Sequence, residues 1–124
     1  MSQDTTRRLS EIQAAYRELA NQLATIGYIA SGSLQHRYTH CANPRCRCNQ
    51  DPPRPHGPYW QWTAKQAGKT ISRRMTTTQA EMWQQWIGND RQLRAIITQM
   101  RQLSAEAITI TEQHPTSPPN HPKV

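Results

Sequence analysis

The sequence predicts an α+β fold with a long N-terminal helix, a small antiparallel sheet of two or three strands bearing a cysteine-rich knuckle, and a long C-terminal helix. Three observations carry this. Apolar residues recur at heptad spacing on both sides of the middle third. Between those segments the period drops to two. Three cysteines, Cys41, Cys46 and Cys48, fall within eight residues of one another in the same middle third. A length of 124 residues suits one domain, read here as residues 6–112 with a Pro-rich tail over 113–124.

The first helix is expected over residues 6–27. Leu9, Ile12, Tyr16, Leu19, Leu23 and Ile26 are spaced 3, 4, 3, 4, 3, which is a heptad seam, and Gly27 is a natural stop. The second is expected over 78–112. Thr78 and Glu81 form a capping-box pattern ahead of the seam Met82, Trp86, Asn89, Leu93, Ile96, Met100, Leu103, Ala107 and Ile110. Trp83 and Ile97 widen that stripe, and the register persists across Gly88, so one continuous helix is expected. The two helices should pack antiparallel. The longer one leaves apolar turns near Ile108 and Ile110 uncovered, and this surplus favours a homodimer or a protein partner through Leu93, Ile96, Met100, Leu103 and Ile110.

Residues 31–76 hold the sheet and the knuckle. Leu34, His36 and Tyr38 alternate with polar neighbours, as do Trp60 and Trp62, and Ile71, Arg73 and Met75. Lys65-Gln66-Ala67-Gly68 reads as the hairpin between the last two strands, with Gly68 free to take a positive φ. Trp60, Trp62, Ile71, Leu34 and Tyr38 are expected to face the helices. Past the second helix, Pro115, Pro118, Pro119 and Pro122 forbid a helix, and the tail is expected to be disordered.

Charge is distributed unevenly. The chain carries a net +7. Residues 31–75 hold eight bases, Arg37, Arg45, Arg47, Arg54, Lys65, Lys69, Arg73 and Arg74, against one acid, Asp51. The flanking helical segments are neutral in sum, so the whole excess lies where the cysteines are. A local basic surface of this kind points to a polyanion, most often nucleic acid. A carboxylate pair for acid–base or two-metal chemistry has no place in this region, and the sequence predicts a binding protein rather than an enzyme. No apolar run approaches the ~20 residues of a membrane span, and no export signal is apparent, so a cytoplasmic protein is expected.

Cysteines at C-x4-C-x-C spacing supply three soft ligands, and zinc favours four drawn from thiolate and imidazole. Asn43-Pro44 is a turn signal that would bring Cys41 back toward Cys46. His56 is the best fourth ligand, since the stiff Asp51-Pro52-Pro53-Arg54-Pro55 connector determines where it lands. His40 and His36 are its rivals, and reduced thiols without a metal are the plain alternative.

The run Cys41…Cys46-Arg47-Cys48, then His56-Gly57-Pro58-Tyr59-Trp60, then Gly68-Lys69-Thr70 and a Trp-containing helix resembles a bacterial family of uncharacterised small proteins over about residues 31–100. Its centre reads roughly C-G-K-x-x-C-x-C…H-G-P-Y-W. Ala42 stands where that pattern has Gly. Such proteins are often met near transposases. The resemblance therefore implies DNA rather than RNA as partner, an accessory role at a mobile element, and importance for Cys41, Cys46, Cys48 and His56.

Two functions follow from the residues. One is a zinc-knuckle protein whose eight bases bind nucleic acid, mostly through backbone phosphates. The other is an adaptor that dimerises, or docks on a transposase- or recombinase-type partner, through its heptad helices without touching nucleic acid.

Overall fold

Ser2 starts the first helix earlier than the apolar pattern suggests. Its side chain accepts the Thr5 backbone N–H at 3.1 Å, which satisfies one of the free donors at the helix start. The helix, α1, spans Gln3–Ala24 and ends before the expected stop at Gly27. At its end the Thr25 hydroxyl and backbone N–H both donate to Gln22 O, at 2.8 and 3.2 Å. The structure, a computed structural model, describes residues 2–114. The tail expected over 113–124 therefore lies outside the described residues apart from its first two positions.

Three strands follow: β1 (Ser33–Thr39), β2 (His56–Gln66) and β3 (Lys69–Met75). They form one antiparallel sheet in the order β1-β2-β3. Ala67 and Gly68, with φ of 50° and 78°, make the two-residue turn between β2 and β3. Positive φ at both central positions matches the right-handed twist of the paired strands. The second helix, α2, spans Thr77–Gln113 without interruption at Gly88. Its capping box is not Thr78 with Glu81 but Thr76 with Gln79. The Thr76 hydroxyl accepts the Gln79 N–H at 3.2 Å, and Gln79 Oε1 accepts the Thr76 N–H at 3.0 Å. Both pairs fit the pattern. The turn out of β3 selects the earlier one.

The chain falls into two compact units, Met1–Gly27 with Arg91–Val124, and Tyr28–Asp90. In the first, α1 runs antiparallel to the second part of α2. Arg8 meets Glu106, while Leu19 lies beside Gln99 and Leu103. Ile12, Leu19 and Ile96 are buried there. Leu93, Met100, Leu103 and Ile110 are half-buried, and Ile108 is 57% exposed.

In the second unit Trp62, Ala64 and Ile87 form the core, flanked by Ala30, Leu34, Ile71, Met75 and Trp83. Register explains the selection. Leu34 pairs with Trp62, and Ala64 with Ile71, so these side chains share the sheet face that meets α2. The segment before β1 is tied to α2 by Ala30 N–H to Trp86 O at 3.1 Å and by Asn89 Nδ2 to Tyr28 O at 2.8 Å. Asn89 thus holds a backbone carbonyl instead of packing as a seam residue. Trp62 Nε1–H donates to Ser31 O at 2.8 Å, so the buried indole is satisfied. Two expected core positions are exposed. Met82 is 45% exposed, because Ala80, Trp83 and Ile87 set the inward stripe one position on. Tyr38 is 62% exposed, because β1 breaks register between Arg37 and Thr39.

Two stability predictions follow. Replacing Ile87 with Ala in so small a core should cost about 2–5 kcal/mol, read as a lower denaturation midpoint at unchanged m-value. In the helical unit, Arg8 donates to both Glu106 oxygens at 2.6 Å and holds that carboxyl below its ordinary pKa. A depressed carboxylate stabilises the fold above its unfolded value, ~4.3, and the contribution disappears as pH falls through the lower folded value. The wild-type chain should melt above Glu106→Gln near pH ~6, and the two melting curves should converge toward pH ~3. The gap should be modest and shrink with salt, since the side chains are 45% and 41% exposed. Parallel curves would show that the pair contributes no linked stability.

Candidate metal centre

Thr39, the last residue of β1, is the register partner of His56, the first of β2. The loop 40–55 therefore leaves and re-enters the sheet at one end, and His56 faces what the loop carries. Asn43 begins the fold of that loop. Its Oδ1 accepts the Arg45 N–H and its backbone O accepts the Cys46 N–H, each at 3.0 Å. A short 3₁₀ turn over Arg47–Asn49 follows, closed by Asn49 N–H to Cys46 O at 2.9 Å. Asn49 Nδ2 then bridges Cys41 O and Asn43 O at 2.8 Å each, and Gln50 Nε2 reaches Pro44 O at 3.1 Å. The backbone of the loop is thus tied by its own amide side chains, with little apolar packing.

These bonds bring four donors together. The ligand atoms of Cys41, Cys46, Cys48 and His56 all lie within 4.8 Å of one another. Cys41 Sγ is 3.5 Å from Cys48 Sγ, and Cys46 Sγ is 3.0 Å from His56 Nε2. A tetrahedral zinc with ordinary Zn–S and Zn–N bonds separates its ligands by about 3.5–3.8 Å. The donors thus need shift only by tenths of an ångström to about one ångström to enclose such an ion. Cys48 is fully buried, Cys46 half-buried and Cys41 exposed. The three-thiolate, one-imidazole set is that of a closed structural site with no open position for substrate.

The thiols differ in acidity. The backbone hydrogen bond from Cys48, followed by bonds from the Cys41 and Cys48 side chains, pulls Cys46 down to about 6. Burial pushes Cys48 up. Cys46 is therefore the thiol that would present a thiolate to a cation near neutral pH. The Cys41 N–H also donates to Cys48 Sγ at 3.3 Å, a bond that strengthens when that sulfur carries charge.

The three candidate histidines separate cleanly. His56 is in the cluster. His40 Nδ1 lies 2.7 Å from Cys48 O, and since a carbonyl only accepts, this nitrogen carries the proton and the ring supports the loop from outside. His36 is stacked on Trp60, with centroids 4.4 Å apart and planes 9° from parallel. Gly57, next to His56, sits at φ +114°, where a Cβ would meet Arg37 O at 2.8 Å, so the motif requires glycine there.

All eight predicted bases are exposed, and among the described residues none is paired with a carboxylate. They do not share one face. Arg37 pairs with Tyr59 and Arg74 with Gln61, which places Arg37, Arg74 and Lys65 on the sheet face away from the core. Lys69 and Arg73 fall on the face of Ile71 and Met75. Arg45, Arg47 and Arg54 lie on the loop. The His36–Trp60 stack and the supports from Asn49 and Gln50 had no sequence marker. Strand parity could have given the stack once the register was known.

The family described as domain of unknown function (DUF6788) matches residues 9–82, more than half of the chain, and the chain belongs to it. The matched span contains all four donors. No curated protein and no solved structure matches the chain.

Elemental analysis of the purified chain should find zinc bound, with content lost in Cys46→Ser and in His56→Ala but kept in His36→Ala. A strong chelator should lower the melting temperature by about 10 °C or more, because binding energy at such a site is folding energy. Full zinc content in His56→Ala would remove that residue from the site.

Proposed function

We propose that the chain is a small zinc-pinned module that binds nucleic acid, DNA ahead of RNA, mainly through backbone phosphates and without chemistry on it. The observation that carries this reading is the concentration of eight exposed bases, free of carboxylate partners among the described residues, on the unit that also holds the donor cluster. A polyanion is the partner whose counterions such a surface displaces. The preference for DNA, and an accessory role at a mobile element, rest on the resemblance to small proteins met near transposases. The metal has a mechanical part here. It would clamp the loop bearing Arg45, Arg47 and Arg54 to the end of the sheet bearing Arg37, so that the cations keep fixed spacing.

Six contacts, from Arg37, Lys65 and Arg74 on the open face and Arg45, Arg47 and Arg54 on the loop, predict a slope of log K against log[salt] near −5 on duplex DNA. Arg45→Ala with Arg47→Ala should flatten that slope by about 2 and weaken binding without changing the melting temperature. Absence of salt-sensitive binding to both duplex and single strands would overturn the reading.

A further inference from the structure

Where β2, β3 and the start of α2 meet, the second unit carries a groove of about 420 Å³. Two π-stacked pairs lie on its walls. The Arg74 guanidinium sits 3.9 Å from the Tyr59 ring centroid, and the His36 ring lies flat on Trp60 with centroids 4.4 Å apart. Thr77 and Gln79 add polar side chains to the same lining. Nothing in the core or the donor cluster requires either stack. Arg74 and His36 are exposed, so the outer plane of each pair is open to a further flat ring.

From this arrangement we infer that the groove is a binding site for an unpaired nucleobase, so that this module prefers a single strand to a duplex. The inference rests on the proposed nucleic-acid binding and specifies its substrate. A flat, delocalised ring continues a guanidinium–tyrosine or imidazole–indole stack at little cost, and any of the bases presents such a ring. Phosphates on either side of the base then lie near Arg37 and Arg74, which share the sheet face of Tyr59. Duplex DNA can meet the exposed cations of this surface but not the groove. Three strands at about 4.8 Å spacing, one face covered by α2, are broader than the two-stranded ribbon that a major groove of about 12 Å admits. A base inside a duplex is already stacked and paired, and cannot reach the groove unless it is extruded. Lining and charge agree in this, since the groove opens beside cations and the aromatic walls are already in place.

The test uses the full-length, zinc-loaded chain in fluorescence anisotropy. The probes are a dT 12-mer, an rU 12-mer and a 12-base-pair DNA duplex at fixed salt. The variant is Arg74→Lys with His36→Ala, which keeps the cation but removes both outer planes, and both positions are exposed. Zinc content and melting temperature are checked first, and Arg74→Lys alone serves where the double variant departs from wild type. The wild-type chain should bind at least one 12-mer more tightly than the duplex, the tighter arm naming the sugar. The variant should lose about tenfold more affinity for that strand than for the duplex, the worth of a lost stacked base. Tighter binding to the duplex, or equal losses on strand and duplex, would overturn the base site while leaving the proposed function standing. No salt-sensitive binding to any probe would overturn both.

Discussion

The return of the 40–55 loop to the first residue of β2 is the constraint on which the second unit depends. That unit buries few large side chains, with Trp62 and Ile87 chief among them. A sheet with so little apolar area against one helix gains limited stability from burial alone. The loop supplies no residue to that core, and is held by Asn43, Asn49 and Gln50. Cys41, Cys46 and Cys48 with His56 therefore occupy the place that a larger core would fill in a bigger domain. Small folds commonly meet this need with a metal.

β2 serves three requirements in one strand. Its first residue enters the donor cluster, Tyr59 and Trp60 line the groove, and Trp62 and Ala64 pack on α2. Because side chains alternate, Tyr59 and Trp60 point to opposite faces, and the groove lies at the end of the sheet where both can be reached. The same alternation divides the bases. Arg74 stacks on Tyr59 on the open face while Arg73, one position earlier, is on the face of Ile71. A charge count over the segment treats the two arginines alike, although the fold does not.

Much of the architecture could be read from the sequence, because it is written in periods. Heptad spacing gave both helices, alternation gave the strands, and Lys65-Gln66-Ala67-Gly68 gave the hairpin, although Lys65 and Gln66 belong to β2 and only Ala67 and Gly68 make the turn. The donor set was legible because three thiols so close in sequence converge by local geometry, and the stiff proline-rich connector favoured His56. What was not legible depends on competition between equivalent local choices. Thr76 with Gln79 and Thr78 with Glu81 are both sound capping boxes, and only the exit from β3 decides between them. Met82 and Trp83 are adjacent apolar residues, and the sheet decides which one faces it. The His36–Trp60 stack joins residues far apart in sequence, through a register that no local pattern encodes.

The donor cluster and the groove share that register, and this ties their chemistries together. Between Thr39, paired with His56, and His36, paired with Trp60, β1 contains its single irregularity, at Arg37 to Thr39. A strand end with a bulge is the place where pairing is most easily lost, because one residue there has no partner in the ladder. A metal held by His56 and the three thiols would keep that end of β1 in place, and with it the ring that lies on Trp60. A base stacked against His36 would favour the same paired state from the other side of the bulge. Two ligands that prefer one conformation raise each other's affinity by equal factors. A metal at this site would then be more than a staple for a small core. Through the pairing of β1 with β2 it would also govern how well formed the aromatic wall of the groove is.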